Sequence, residues 1–136
     1  MSSVEGRVVH LNSSCSDARL EFSEFDGRSA RIALVASDHS ATRVVWFPLD
    51  EPGLDRFFTW CARDWKGWTG TRTWSTVEGE FALTCESDRL GHVTLTVEIA
   101  SSGGIYDSWT LRARLGLDAG ALERIAREFE HFFEPR

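Results

Sequence analysis

The sequence lacks the features that mark a membrane-inserted or exported protein. No apolar run reaches the roughly 18 residues that a spanning helix needs, and no signal peptide is recognisable. Lysine occurs once, at Lys66, among 15 basic residues, a bias towards arginine that is typical of a GC-rich genome. We therefore expect a cytoplasmic protein with no membrane partner.

The few cysteines and histidines form no disulfide framework or metal site. Three cysteines, at 15, 61 and 85, are an odd number without C-x-x-C spacing, which favours reduced thiols in the cytosol. The four histidines, at 10, 39, 92 and 131, are dispersed and lack the spacing of a helical or hairpin metal site. No metal, cofactor or catalytic residue is predicted, and we do not expect an enzyme.

The charge balance restricts the classes of partner. The net charge is −6, from 21 acidic and 15 basic residues, and such a field repels phosphate backbones. Nucleic acid is therefore not a predicted partner, whereas a basic protein would be attracted.

A length of 136 residues is typical of a single domain, which we assign to residues 1–136.

Apolar residues alternate with polar ones along seven segments, the pattern of half-buried strands. Turn signals over Ser87–Gly91 and Ser101–Gly104 separate the last three. The predicted strands are Val8–Leu11, Leu20–Phe25, Ala30–Ala36, Val44–Phe47, Phe81–Cys85, Val93–Ile99 and Trp109–Leu115.

Two segments change to the period of an amphipathic helix. Asp50 is predicted to cap the first helix with Pro52 in its first turn, and Asp118 to cap the second. The predicted buried faces are Leu54, Phe57, Phe58, Cys61 and Trp65 in the first helix, and Leu122, Ile125, Ala126, Phe129, Phe132 and Phe133 in the second.

The segment that begins at Leu49-Asp50 resembles the one that begins at Leu117-Asp118, 68 residues later. We interpret this as a duplicated β-β-β-α unit, with halves at about 18–66 and 80–134. The predicted fold is α+β, a curved antiparallel sheet with both helices packed on one face. The opposite face should meet solvent and carry Arg31, Thr94, Thr96, Glu98, Thr110, Arg112 and Arg114.

Four tryptophans crowd the joint between the halves, at positions 60, 65, 68 and 74. The interpretation we favour is structural, with Trp65 closing the first helix onto the sheet and Trp68 or Trp74 plugging the joint. The functional alternative is an exposed anchor, because indoles supply much of the energy at interface hot spots. Trp68 and Trp74 are the candidate partner-binding residues on this alternative.

Arg112 and Arg114 lie two apart on one predicted strand, so both point to one face and could bind a carboxylate or phosphate. Arg31 and Glu98 share that face and complete the candidate partner-binding set. Cross-strand pairing of the arginines with Glu98 or Glu21 is the alternative that we favour.

Two arrangements resemble catalytic sites but have simpler interpretations. Cys85 and His92 flank one hairpin loop, yet no orienting group or oxyanion hole accompanies them. We expect Cys85 to be buried against the helices and His92 to be a turn residue bonded to backbone. A second group of carboxylates is expected to form a solvated acidic edge; it comprises Glu78, Glu80, Glu86 and Asp88.

The doubled unit, the helix start at Leu49-Asp50, the Trp65-Lys66-Gly67-Trp68 joint and the hairpin over 88–93 resemble an uncharacterised family of small single-domain actinomycete proteins. The likeness covers roughly Ala18 to Phe133. That family's layout is similar to the WapI-type immunity proteins, which neutralise a toxin of the same bacterium by binding it.

The resemblance implies a non-catalytic protein-binding domain, in its most specific form an immunity protein bound to a toxin. One alternative is a small-molecule-binding protein or enzyme with a pocket between sheet and helices. Another is a structural homodimer formed through an edge strand or the aromatic joint.

Overall fold

The computed structural model describes residues 7–47, 53–101, 106 and 108–134. These residues form eight strands and two α-helices, and a short 3-10 turn at Ala119–Ala121 precedes the second helix. The elements are β1 (Val8–Asn12), β2 (Arg19–Ser23), β3 (Ser29–Val35), β4 (Ser40–Trp46), α1 (Leu54–Arg63), β5 (Thr71–Ser75), β6 (Phe81–Ser87), β7 (His92–Ala100), β8 (Thr110–Asp118) and α2 (Leu122–Phe132).

The strands pair as two antiparallel meanders, in the orders β1-β2-β3-β4 and β5-β6-β7-β8. The predicted α+β fold is confirmed. Its strands form two four-stranded sheets rather than one continuous sheet, and each unit has four strands before its helix rather than three. Strand β5 was not predicted, because its residues do not alternate between apolar and polar. Its outward residues are threonine and serine, and its inward residues are Arg72 and Trp74.

One hydrophobic core joins both sheets and both helices. Phe22 of β2 lies with its ring centroid 5.6 Å from Phe81 of β6 and 4.8 Å from Phe129 of α2. Phe58 of α1 stacks on Phe129 at 5.2 Å. Since these rings meet at one place, the helices pack against each other and against the inner faces of both sheets.

Hydrogen bonds between described residues connect the sheets at two of their margins. Arg43 of β4 donates from Nη1 to the carbonyl of Ala100, at the end of β7. The N–H of Ser14, in the β1–β2 turn, donates to the carbonyl of Gly116 in β8 at 2.8 Å. The turn lies close to β8 here, since a Cβ added at Gly116 would lie 2.5 Å from Cys15 Sγ.

The helix positions correct three details of the prediction. Helix α1 begins at Leu54 with Gly53 as its N-cap residue, so the prediction that Asp50 caps it was wrong. Asp50 itself, Pro52 and residues 102–104 of the loop Ser101–Gly104 lie outside the described residues. Asp118 precedes the 3-10 turn and makes no capping side-chain hydrogen bond. Trp65 lies beyond the end of α1 and is 55% exposed, so its assignment to the buried face was wrong.

The other assigned helix faces are confirmed. Leu54, Phe57, Phe58 and Cys61 are buried in α1, and the predicted face of α2 is buried except for the half-buried Phe133. Within the part of the chain that the structure describes, no helix is long and apolar enough to cross a membrane.

Candidate binding surfaces

The outer face of the second sheet, β5–β8, carries most of the residues predicted to meet solvent. On this face Glu98 is half-buried, and the exposed residues are Thr94, Thr110, Arg112 and Arg114. Another predicted residue, Arg31, is exposed on the first sheet. Thr96 is the exception at 7% exposed; it lies on β7 directly opposite Thr84 of β6 and Arg114 of β8. Thr96 therefore adds no accessible surface.

The predicted arginine pair lies on the edge strand β8. Arg112 is directly opposite Glu98 in the register of β7 and β8, yet no ion pair within 4.0 Å joins them. Glu21, the other predicted partner, instead pairs with His10, whose Nε2 lies 2.6 Å from Glu21 Oε2. Among the described residues the guanidinium groups of Arg112 and Arg114 therefore have no carboxylate partner.

The outer face of the first sheet, β1–β4, has an apolar surface that the sequence analysis did not single out. Trp46 is 52% exposed and Val44 59% exposed, and both lie on the edge strand β4. Arg31 of β3 pairs directly with Val44, and Ser29 pairs with Trp46. We call Arg31, Val44 and Trp46 the β4 surface. Its only sequence signal is the alternation of β4, which places Val44 and Trp46 opposite the buried Val45 and Phe47.

At the tryptophan-rich joint, Arg72 of β5 is held between two indoles. Its guanidinium carbon lies 4.1 Å from the ring centroid of Trp60 and 4.5 Å from that of Trp68. Arg72 Nη2 lies 2.6 Å from Asp64 Oδ2, and Nη1 donates to the carbonyl of Trp60 at 3.1 Å. The Arg72 side chain is only 11% exposed, so its role is to hold the residues of the joint together rather than to contact a partner.

The four indoles of the joint divide between core and surface. Trp68 is 7% exposed, so we withdraw it as a partner-binding candidate, and its Nε1 has no hydrogen-bond partner among the described residues. Trp74 is half-buried and stacks on Phe47 at 6.1 Å. Trp60 and Trp65 keep 44% and 55% exposure, so the favoured structural interpretation is right for the buried Trp68 and wrong for Trp65. Trp74 stays a candidate partner-binding residue.

Gly67 connects the joint to the β6–β7 turn. Its φ of +126° lies in the left-handed region that favours glycine. A Cβ at this position would lie 2.8 Å from the Cα of Arg89. The Trp65-Lys66-Gly67-Trp68 segment is therefore fixed by close backbone packing.

Cys85 and His92 do not come together. Cys85 is buried on the inner face, where a hydrogen bond with Cys61, reinforced by burial, raises its thiol pKa above the ordinary 9.0. His92 is exposed, and its Nδ1 lies 2.9 Å from Asp88 Oδ2. Cys85 therefore lacks a base and stays protonated at neutral pH, and the His92 ring bonds to a carboxylate rather than to backbone.

The predicted acidic edge is mostly solvated. Glu78, Glu86 and Asp88 are exposed, whereas Glu80 is half-buried and accepts a hydrogen bond from the Thr76 hydroxyl. No group of three histidine, cysteine or carboxylate side chains within the described ranges could hold a metal ion. These carboxylates therefore form no converging site.

A cleft of about 620 Å³ lies between the turns of the first sheet and strand β8. Residues 16–18 of the β1–β2 turn and 36–39 of the β3–β4 turn form one wall, and residues 111–114 of β8 form the other. The space between sheets and helices, where the sequence analysis placed an alternative pocket, is occupied by core side chains such as Phe22, Phe58 and Phe129.

Fold and surfaces together define a two-sheet α+β domain with a buried cationic joint, an apolar β4 surface and a cleft beside an arginine-bearing edge strand. The chain belongs to the DUF6228 family, a family of unknown function whose model matches residues 11–136. No curated protein and no solved structure matches the chain significantly.

Proposed function

We propose that this domain is a non-catalytic protein-binding domain that docks its partner on the β4 surface. The observation that carries the proposal is the exposure of Trp46 and Val44, at 52% and 59%, beside Arg31. Tryptophan and arginine are the residue types that most often dominate binding energy at protein interfaces. Clustered exposed apolar side chains cost solubility and commonly mark interaction sites.

The sheet suits this role because its side chains are held on a paired backbone. Strands β3 and β4 pair over seven residues each, from Ser29↔Trp46 to Val35↔Ser40. A rigid element that presents its anchors in advance loses less conformational entropy on binding. No described helix covers this outer face, because α1 and α2 both pack in the core.

Charge supports contact through apolar side chains at this face. On the outer face of the first sheet, the strand positions carry two arginines and one carboxylate, so the acidic excess of the chain is not concentrated there. The overall field favours encounter with a basic partner, while docking depends on shape and apolar area. These charged positions are Arg19, Arg31 and Glu21.

In its more specific form, the proposal is that the partner is a toxin of the same bacterium. The likeness of the layout to WapI-type immunity proteins supports this form, and a docking face without catalytic groups fits inhibition by occlusion. A standard interface of roughly 800 Å² per partner is within reach of a four-stranded face and its margins.

The test compares Trp46→Ser with Trp65→Ser as a matched control, since Trp65 is equally exposed but lies beyond α1 on the helix side. Proteins captured from extracts of the native organism by the three forms are quantified, and each candidate is purified and titrated calorimetrically. We expect one protein that binds the wild type and Trp65→Ser alike and Trp46→Ser at least tenfold more weakly, an estimate of about 1.4 kcal/mol.

Capture without dependence on Trp46, or no direct binding by the purified candidate, would contradict the proposal. The toxin form is tested by expressing the product of the neighbouring gene in a bacterial host with each variant. Growth rescued by the wild type and Trp65→Ser, but not by Trp46→Ser, is the expected result. A harmless neighbouring product, or rescue by all three forms, would count against an immunity role at this surface.

A further inference from the structure

Among the described residues, strand β8 has one hydrogen-bonding edge that no other strand pairs with. In an antiparallel sheet, the backbone groups of successive residues point alternately to the two sides of a strand. The N–H of Gly116 donates to Ser13 Oγ at 3.0 Å and its carbonyl accepts from Ser14, so Gly116 points away from β7. By alternation, the N–H and carbonyl groups of Arg114 and Arg112 also point away from β7.

The odd-numbered residues in and beside β8 point the other way, which confirms this direction. The carbonyl of Trp109 accepts from Ser101 at 2.9 Å, and the N–H of Ala119 donates to Gly91 at 2.9 Å, so the odd-numbered residues face the β7 side. Among the described residues, no strand pairs with the outer edge of β8. Of the part of the chain that the structure describes, Ser13 and Ser14 bind this edge, at Gly116.

The cleft runs along this edge. Its β8 wall consists of four consecutive residues, 111–114, whereas a cleft on one face of the strand would be lined by alternate residues only. Arg112 and Arg114 point to the outer side of the strand, and the half-buried Leu111 and Ala113 to the inner side. The cleft therefore offers backbone groups, two cations and two apolar side chains to one occupant.

We propose that the edge of β8 accepts an extended segment of another protein as an added strand, with acidic side chains opposite Arg112 and Arg114. This site is separate from the β4 surface and extends the proposed function. In an added strand, residues opposite the two arginines share their face, and the residue between them faces Leu111 and Ala113. The segment is therefore acidic, apolar and acidic at successive positions.

The far wall restricts the segment further. Asp17 and Asp38 line it, and Asp38 Oδ1 lies 2.7 Å from His39 Nδ1. A segment that was acidic at every position would bring carboxylates towards these two residues, which costs free energy. A segment that alternates acidic and apolar residues can pair with the two arginines of β8 and still keep its carboxylates away from Asp17 and Asp38.

A second copy of this chain fits the edge poorly. Two β8 strands paired about a twofold axis in this stretch would bring an arginine opposite an arginine, and like charges directly opposite are destabilising. Charged edge positions are a common defence against uncontrolled strand pairing. Here the same two arginines would also select acidic segments, because carboxylates opposite them are attracted whereas cationic side chains are repelled.

The probe is a displayed library of random dodecapeptides. Peptides are selected for binding to the wild type, and their binding to Arg112→Glu/Arg114→Glu is then measured. The matched control is Arg56→Glu/Arg63→Glu, which makes the same change in net charge on exposed positions of α1. We expect enriched peptides with acidic residues at alternate positions, bound at least about tenfold more weakly by the first variant and unchanged by the control. Enrichment that both variants retain, or lose equally, would overturn the proposal.

The added-strand geometry is tested with the best enriched peptide by amide-resolved NMR. We expect slower hydrogen exchange at Arg112 and Arg114 and loss of binding when the acidic residues of the peptide are N-methylated. Undiminished binding of the methylated peptide would leave ion pairing alone and overturn strand addition. Trp46→Ser should bind the peptide normally, so failure at this edge and failure at the β4 surface are distinguishable.

Discussion

Strands β4 and β8 hold the same place in the two units but present opposite chemistry outwards. Val44 and Trp46 of β4 correspond to Arg112 and Arg114 of β8, at the same offset of 68 residues that relates the helix starts Leu54 and Leu122. Their inward neighbours stay apolar, since Phe47 and its counterpart Leu115 are both buried. The core constrains the inner positions of both units, whereas the outer positions have diverged into two unlike surfaces.

The largest expected effect tests whether the two units share one core. Phe129→Ala removes a ring that contacts Phe22 and Phe58 and should lower the free energy of unfolding by roughly 3–5 kcal/mol. Urea denaturation followed by tryptophan fluorescence measures it. A loss below about 1 kcal/mol would contradict the burial of this ring.

Phe58→Ala extends the test to the first unit. The double variant should lose less than the sum of the two single losses, by about 0.5–1.5 kcal/mol for a stacked aromatic pair. Additive losses, or unfolding in two separate steps, would mean that the units fold independently rather than around one core.

The next effect concerns the joint, where Trp60 of the first unit contacts Arg72 of the second. Arg72→Met keeps the length of the side chain but removes the cation between Trp60 and Trp68 and leaves Asp64 unpaired. We expect a loss of about 2 kcal/mol in the free energy of unfolding. Arg72→Lys, which restores charge but not the planar stack, should recover only part of it. Full recovery by lysine would show that the stacking contributes nothing.

Much of the fold was predictable because apolar alternation directly reflects which side of a strand is buried. The inner faces of seven strands and α2 followed from it, whereas β5 did not, since its inward residues Arg72 and Trp74 are a cation and an indole. The exposure of a tryptophan is set by distant contacts. Trp68 is covered beside Arg72 and Trp46 is not covered by any described element, and no local pattern separates these two cases.

The candidate surfaces were predictable only in part for the same reason. Spacing placed Arg112 and Arg114 on one outward face, as the structure has them. Their cleft depends on how the first sheet's turns approach β8, through Ser14 and Gly116. That approach is a long-range contact between residues 102 positions apart, which single-sequence periodicity does not encode.

Exchanging the outward pairs tests whether β4 and β8 differ in function rather than in folding. Val44→Arg/Trp46→Arg should change the free energy of unfolding by no more than about 0.5 kcal/mol, because both side chains are exposed. Arg112→Val/Arg114→Trp should be similarly neutral but should self-associate, since it leaves a free edge without charge. Light scattering over a concentration series measures this. A monomeric second variant would show that the arginines do not protect the edge.

The smallest effect concerns a feature that both units keep. In the β2–β3 turn Asp26 Oδ1 accepts from the N–H groups of Arg28 and Ser29, at 2.9 and 2.8 Å. In the corresponding β6–β7 turn Asp88 Oδ1 accepts from Leu90 and His92, at 2.7 and 3.1 Å. Backbone donors, Ser29 first for Asp26 and Leu90 first for Asp88, hold both carboxyl pKa values below the ordinary 3.8.

A lowered carboxyl pKa adds stability above its unfolded value and loses it as the pH falls through the folded one. Asp26→Asn and Asp88→Asn should therefore each be slightly less stable than the wild type at neutral pH, and the difference should shrink as the pH falls below 3.8. Urea unfolding at both pH values, with carboxyl titration by NMR, measures this. The control is Asp118→Asn, whose side chain makes no capping hydrogen bond. A difference that persists in acid would mean that turn geometry, rather than the carboxylate charge, stabilises the two hairpins.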